Sequence, residues 1–453
     1  MKDLISEYAR LASDIRNFGL SDAFNIRPLV DGKTLSAALS TKPGPWMAPA
    51  LDIIMAWQLR NPDINDLAAA IEEVKASDLL STANGSTKSQ AEPRKQGELT
   101  STLISHFLRK ELKPLFAQAN TKADITPTGR RKIGEPPPRS FGQDGPVLDD
   151  EKSKPWKYHS AWAMDLLTWI CMKLDTKIVE EEWGYLVPPI LTLLEDTDTQ
   201  IRAKGCNLLQ LLLLSTPTQL LQRTGLAPLF EETLTTSLSY LPTLTPQSES
   251  AILLPAAFTA LLTLLDAAHP PPPAHSRPST ARQASLTRLL RHSILGPFAH
   301  AQDHPLAATA LLAPVPALLD RLGVAAAPLL KDVLPLLAAV LRDPLALAAH
   351  PPLVLAAARG LRAALANAWP RVPAWRGAVL GGVAVCWMRV VELRGPGRRG
   401  EEGVVAVGEE LKACVGVLRA VMVSQGLGEV FEEDVRVLVQ ADGQLEELFE
   451  GLD

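Results

Sequence analysis

Four cysteines in 453 residues, Cys171, Cys206, Cys386 and Cys414, are too few and too far apart for a disulfide framework, and none forms a C-x-x-C pair. Each lies in an apolar helical context, where a free thiol behaves as a small hydrophobe, so buried reduced thiols are expected. Aromatic residues are scarce at 5%, which argues against sheets packed by aromatic and β-branched side chains. Charge of one sign is lacking too. Lys and Arg number 45 against 50 Asp and Glu, a net charge of −5, so no global field favours nucleic acid or an anionic membrane. The start, MKDLISEYARLASDIRN, has no apolar core of a secretory signal. The longest apolar runs, Leu208 to Leu214 and Ala378 to Met388, fall short of the ~20 residues a membrane span requires. These absences point to a soluble protein of the cytoplasm and nucleus with no membrane partner.

What the chain does have is helical periodicity built from Leu, Ala and Val, with 47% apolar residues. The clearest stretch is Trp183 to Leu213, WGYLVPPILTLLEDTDTQIRAKGCNLLQLLL. A first helix is expected to start at Pro188-Pro189, where a missing N–H costs little, and to present Ile190, Leu193 and Leu194 as a stripe. The turn Glu195-Asp196-Thr197-Asp198 offers side-chain oxygens to the free N–H groups of a second helix. That helix carries Ile201, Gly205, Leu208, Leu209 and Leu212 at i, i+4, i+7, i+8 and i+11, a single buried face. The layout returns, weaker, in Pro335-Leu336-Leu337, Arg342-Asp343-Pro344 and a helix from Leu353 to Leu365. One such pair cannot bury its own face, so stacked neighbours and an extended protein-binding surface are expected.

Composition divides the chain. Residues 1–76 read as short helices around the turn Lys42-Pro43-Gly44-Pro45-Trp46-Met47. Residues 77–97 lose all periodicity and fill with Ser, Thr, Asn and Gly, a flexible linker. Residues 98–453 read as a helical stack interrupted by loops near 119–154, 268–281 and 394–403, expected to be disordered. Within it, helices are expected over Leu99 to Leu115, around Trp162 to Ile170, over Leu226 to Ser239 and over Ser250 to Ala267.

Several residue patterns admit a chemical and a plain reading. Gly395-Pro396-Gly397-Arg398-Arg399-Gly400 has the letters of a dinucleotide loop, but Pro396 removes a donor and Glu401 and Glu402 oppose an anion, so a helix-to-helix loop is favoured. His300 and His304 have the spacing of a helical metal pair, yet Pro305 interrupts it and no third ligand is suggested. Arg130-Arg131-Lys132 and Glu180-Glu181-Glu182 read as solvated charge. No catalytic, cofactor-binding or metal-binding residue is assigned, and no cofactor is expected. Trp156, Trp162, Trp183 and Trp387 are the candidate partner-binding residues, since buried aromatics dominate interface energies. For the cluster Trp156, Trp162, Trp169 and Trp183 the alternative, a place in the core, is favoured because Trp162 and Trp169 share the Leu166 face.

Two families are resembled. Leu29-Val30-Asp31-Gly32-Lys33, Lys42-Pro43-Gly44-Pro45-Trp46-Met47 and Trp57-Gln58-Leu59-Arg60-Asn61-Pro62 resemble the body and tail of fungal tRNA nucleotidyltransferases, the CCA-adding enzymes. Those enzymes do their chemistry in a separate head with metal-holding carboxylates. No such head is expected here, so the resemblance implies at most a tRNA-binding remnant with Lys33, Lys42 and Arg60 as phosphate contacts.

The hairpin motif itself, with its Pro, Asp and Ile-Arg, resembles the HEAT repeat. Leu115-Phe116, Thr126-Pro127-Thr128-Gly129-Arg130-Arg131, the Trp162 to Trp169 helix, Pro188 to Asp196, Thr224-Gly225-Leu226, Phe230-Glu231, Tyr240-Leu241-Pro242, Glu249-Ser250, Trp375 and Cys386-Trp387 together resemble the second Tel-interacting protein family, the smallest subunit of the TTT co-chaperone complex. That resemblance implies an all-α, HEAT-like α-solenoid over residues 98–453 and a non-enzymatic scaffold. Its implied partners are the other two TTT subunits, the ninety-kilodalton heat-shock chaperone system indirectly, and phosphatidylinositol-3-kinase-related kinases as clients. The rival reading is a tRNA-binding or tRNA-maturation protein lacking its catalytic head, with tRNA as partner only if the N-terminal segment functions. A generic HEAT adaptor is a third.

Overall fold

The computed structural model describes residues 101, 104–117, 130, 154–160, 162–270, 279–394 and 402–451, the Trp162 side chain excepted. The segment 1–76 and the linker 77–97 lie outside the described residues, as do most of the three interrupting loops. Among the described residues every regular element is a helix. The chain divides into two compact units: residues 1–192 with 215–224, and residues 193–214 with 225–453. This division cuts through the hairpin and differs from the sequence division at residues 77–97.

In the first unit a π-helical stretch, Phe107–Leu112, runs into the turn Lys113–Phe116, and a short turn Pro155–Tyr158 precedes α1, Trp162–Met172. The ring of Phe116 stacks on Trp156 at 5.3 Å, and Phe107 meets Trp169 edge-on at 6.3 Å. These rings, with Ile104, Leu112 and Leu167, are the interior of this unit. Helix α2 follows, Thr176–Leu194.

Pro188 and Pro189 lie inside α2 and do not start it. Each proline removes one helical N–H, yet Ile178, Val179, Trp183, Leu186 and Val187 extend the same buried stripe upstream. Burial of that stripe outweighs the local preference of the proline pair. The same correction applies to Pro335, which sits inside its helix, Leu330–Arg342.

The second unit begins with α3, Thr199–Leu214, and the acidic turn before it caps the helix as expected. The Asp198 carboxylate accepts from the backbone N–H groups of Gln200 and Ile201 at 2.9 and 3.3 Å. Ile201, Gly205, Leu208, Leu209 and Leu212 are all buried. Ala203, Cys206 and Leu213 are buried as well, so α3 is enclosed on more than the single face its spacing indicates. Helix α4, Thr218–Thr224, belongs to the first unit.

The remaining elements are α5 (Ala227–Ser237), α6 (Gln247–Ala268), α7 (Thr280–Arg288) with a π-helical continuation (Leu289–Leu295), and α8 (Gly296–Ala301). Then come α9 (Pro305–Leu312), α10 (Val315–Leu322), α11 (Leu330–Arg342), α12 (Pro351–Asn367), α13 (Arg376–Arg394), α14 (Glu402–Ser424) and α15 (Gly428–Ala441). Helices α3, α6, α9, α12 and α14 form a row in which each packs on the next. A second row lies over it, with α5 on α6, α11 on α12 and α13 on α14. Within the first row α12 and α14 run parallel: Pro351 lies beside Gly403 near their N-termini, and Gln425 donates to the Trp369 carbonyl just past the other end. Parallel rows of helical hairpins are the solenoid arrangement, and this unit has it.

Three helical stretches, Gln247–Ala268, Pro305–Arg342 and Trp369–Arg394, are long and apolar enough to cross a membrane by length and composition. This corrects the expectation drawn from apolar runs, which stops counting at the first polar residue. The second stretch is not one straight helix, because Gly323 turns the chain with φ +53° between α10 and α11. About half of the first, 50%, is buried inside the fold, where α6 packs against α3, α5 and α9.

Candidate partner-binding groove

In the second unit a groove of about 500 Å³ opens between α5 and the α7 π-helical segment. Its floor is Leu261 and Leu265 of α6 together with Leu289. One wall is the α5 face carrying Glu231, Glu232, Thr235 and Thr236; the other carries Ser285, Arg288 and His292. The hydroxyls of Thr235 and Thr236 donate to the carbonyls of Glu231 and Glu232 at 2.7 and 3.0 Å, so they are satisfied within their own helix. Arg288 reaches across to Glu231 at 3.3 Å. Helix α5 packs chiefly on α6 and the α7 segment on α8, α10 and α11, with the Glu231–Arg288 pair joining the two, whereas α11 and α13 of the same row pack directly.

Leu289, His292 and Ser293 belong to the π-helical turns of Leu289–Leu295. Such turns recur where a helix is bent to serve a site. Of the sequence patterns singled out above, Phe230-Glu231 reaches this groove through Glu231. The further sequence signal is the run of Glu and Thr on an otherwise apolar α5.

Trp156 and Trp387 are fully buried and Trp183 is 3% exposed. Trp169, at 5% exposed, is interior too. As candidate partner anchors these rings present no accessible face in this structure; each sits in the core of its own unit. Trp387 is held from three sides: its Nε1 donates to the Gln444 carbonyl at 3.1 Å, and Arg394 and Lys412 lie 5.4 and 5.2 Å from its ring centroids. The Trp162 side chain and the candidate RNA contacts Lys33, Lys42 and Arg60 lie outside the described residues, as does Gly395 to Gly400.

The reading of Glu180 to Glu182 as solvated charge holds for the first two only. Glu182 is 2% exposed and accepts from Ser105 Oγ at 2.7 Å and from Arg109 Nε and Nη2 at 3.1 and 2.8 Å. Successive helical residues lie about 100° apart, and Glu182 falls on the stripe of Val179, Trp183 and Leu186. Burial is tolerable because Arg109 supplies the counter-charge in a bidentate contact. Only the fold brings those residues together.

Arg202 and Asp266 are likewise structural. The Arg202 guanidinium donates to the Asp196 carbonyl at 3.0 Å and to Ser237 Oγ at 3.3 Å, and lies 4.7 Å from the Tyr240 ring centroid. The Asp266 carboxylate accepts from Arg282 at 2.6 Å and from Arg321 at 2.7 Å, tying α6 to α7 and α10. Burial would raise that carboxyl, but the two guanidinium groups outweigh it and hold it below the usual carboxylate range.

Cys171, Cys206, Cys386 and Cys414 are all free and buried. Burial pushes the thiols of Cys171, Cys206 and Cys386 up to about 12 and raises Cys414 as well. His300 ends α8 and His304 precedes α9, so the pair does not share a helix. Among the described residues no group of three or more His, Cys, Asp or Glu side chains is placed to hold a metal ion.

The Tti2 family pattern matches residues 67–348, more than half of the chain. The chain belongs to the Tti2 family. The match starts ahead of residue 98, where composition places the start of the stack, and includes both walls of the groove. It ends before Trp375 and Cys386-Trp387. Membership carries the general role of a subunit of the TTT co-chaperone complex, and the family is one of non-enzymatic scaffolds.

Curated relatives match over short segments. The nucleotidyltransferase lcsQ of Purpureocillium lilacinum is 42% identical over 73 residues, 16% of this chain and 12% of that protein. The tRNA nucleotidyltransferase cca2 of Schizosaccharomyces pombe is 30% identical over 77 residues, 17% of this chain and 16% of that protein. The mitochondrial CCA tRNA nucleotidyltransferase of Candida glabrata is 35% identical over 60 residues, 13% of this chain and 11% of that protein. The chain thus spans less than a fifth of the length of these relatives. No solved structure matches the chain.

Proposed function

We propose that this chain is a scaffold subunit without catalytic activity of its own, which holds the other two TTT subunits on the surfaces of its stacked helices. Through them it engages the ninety-kilodalton heat-shock chaperone system and supports folding of phosphatidylinositol-3-kinase-related kinases in the cytoplasm and nucleus. The observation that carries this reading is the family match over residues 67–348, laid on a stack of helix pairs. A row of rigid helices offers continuous ridges and grooves to partner helices without moving its own backbone.

Affinity purification of the full chain, with identification of what accompanies it, tests the proposal. The other two TTT subunits in stoichiometric amount are the expected result. Their absence overturns it.

A second reading rests on the 73-residue segment shared with a nucleotidyltransferase at 42% identity: a tRNA-binding or tRNA-maturation role. Retention of tRNA by the purified chain at physiological salt, lost when Lys33, Lys42 and Arg60 are replaced together by Glu, favours that reading.

A further inference from the structure

We infer that the groove between α5 and the π-helical segment is the docking site for an amphipathic helix of a partner protein, one that sets a Lys or Arg against Glu232. The inference rests on the scaffold reading above and names the surface and the partner chemistry that reading leaves open.

Three observations converge. First, the outer row of helices is interrupted here. Helix α5 packs on α6 and the α7 segment chiefly on α8, α10 and α11, so the two walls lean on different neighbours, and the ion pair Glu231–Arg288 spans the space between them. A helical stack gains its stability from each element packing on its neighbours, so a gap in one row leaves a trough shaped by helices on both sides.

Second, the size suits a helix face. A trough of about 500 Å³ takes the side chains of roughly two helical turns, the i, i+3 or i+4, i+7 anchors of a helix laid in a groove. Leu261, Leu265 and Leu289 give those anchors an apolar floor.

Third, the charge is partly uncompensated. Arg288 is engaged by Glu231, while the neighbouring Glu232 is exposed and its carboxylate has no hydrogen-bond or ion-pair partner among the described residues. One spare carboxylate at the lip of an apolar trough selects a cation flanking an apolar stripe. It also opposes the phosphates of a nucleic acid.

The test uses the full chain and the other two TTT subunits as the probe. Glu232→Lys reverses the selecting charge, and Thr235→Trp fills the trough from an exposed position whose hydroxyl bonds only to its own helix. Arg359→Glu, on an exposed position of α12 outside the groove lining, is the control. Both groove variants are expected to weaken capture of the subunits by about tenfold or more with an unchanged melting temperature, and the control to bind as the native chain does.

Hydrogen exchange on the unmodified complex provides a reading that needs no variant. Amides of α5 and of residues 285–295 are expected to slow on complex formation. Normal capture by both groove variants, or unchanged exchange in these segments within an intact complex, overturns the groove while leaving the scaffold role standing. If the unmodified chain captures neither subunit, the scaffold reading falls and the groove assignment with it.

Discussion

Gly205 of α3 lies so close to Leu194 at the end of α2 that a Cβ added to it would stand 2.9 Å from the Leu194 backbone nitrogen and 3.0 Å from the Leu193 carbonyl carbon. The obstacle is backbone, which cannot rotate away as a side chain can. Gly205→Ala is therefore expected to destabilise the chain by about 1 to 3 kcal/mol, against the usual gain from replacing a helical glycine. Gly360 in α12 gives the contrast. A Cβ there would meet the side-chain tips of Leu337 and Val315 at 3.3 to 3.4 Å, and these can shift by tenths of an ångström. Thermal unfolding should rank Gly205→Ala well below Gly360→Ala; the reverse order refutes the assigned crossing.

The pair Arg109 and Glu182 should respond asymmetrically. Arg109 is half exposed, with 51% of its side chain accessible against 2% for Glu182. Glu182→Gln leaves an arginine that water can solvate and an amide that still accepts from Ser105, at a cost of about 1 to 2 kcal/mol. Arg109→Met strands a buried carboxylate, at a cost of about 3 to 5 kcal/mol. Chemical denaturation of the two variants checks the order.

Acid should loosen the link of α6 to α7 and α10. The Asp266 carboxyl is held below its ordinary 3.8 in the folded chain. Its contribution is therefore present above that ordinary value and is lost as pH falls through the folded one. Asp266→Asn should lower the melting temperature at neutral pH and flatten its fall on the acid side of pH ~4. An acid slope equal to that of the native chain would show that this carboxylate is not linked to folding.

The interior Trp rings separate core from interface. Trp169→Ala is expected to cost about 3 to 5 kcal/mol, because a ring packed edge-on against Phe107 leaves a large cavity. Partner binding should then be lost together with stability. Loss of binding at an unchanged melting temperature would make Trp169 an anchor rather than core.

The four cysteines should be silent in the folded state. Each is buried, and with thiols raised to about 12 for Cys171, Cys206 and Cys386, almost no thiolate exists at neutral pH. A thiol reagent should label the native chain far more slowly than the denatured one. Rapid labelling of any cysteine in the native chain would place it at the surface.

Much of this architecture is written in local sequence. Helical spacing alone determined α3, α5, α6 and α12, because Leu and Ala every third or fourth residue leave no other way to bury a face. The acidic turn before α3 was equally legible, since Asp198 caps a helix with its own side chain. Proline was a poor guide where packing competed: Pro188, Pro189 and Pro335 stand inside helices whose buried stripes continue past them. The fate of Glu182 was decided by Arg109, 73 residues away in the chain, and that of Trp387 by Gln444, Arg394 and Lys412. The groove belongs wholly to tertiary structure. Its floor and walls come from α5, α6 and the α7 segment, and it exists because α5 and the α7 segment pack on different neighbours and leave a space that the Glu231–Arg288 pair spans. A sequence specifies which face of a helix must be covered. Where a covering neighbour is missing is settled only when all the helices are placed.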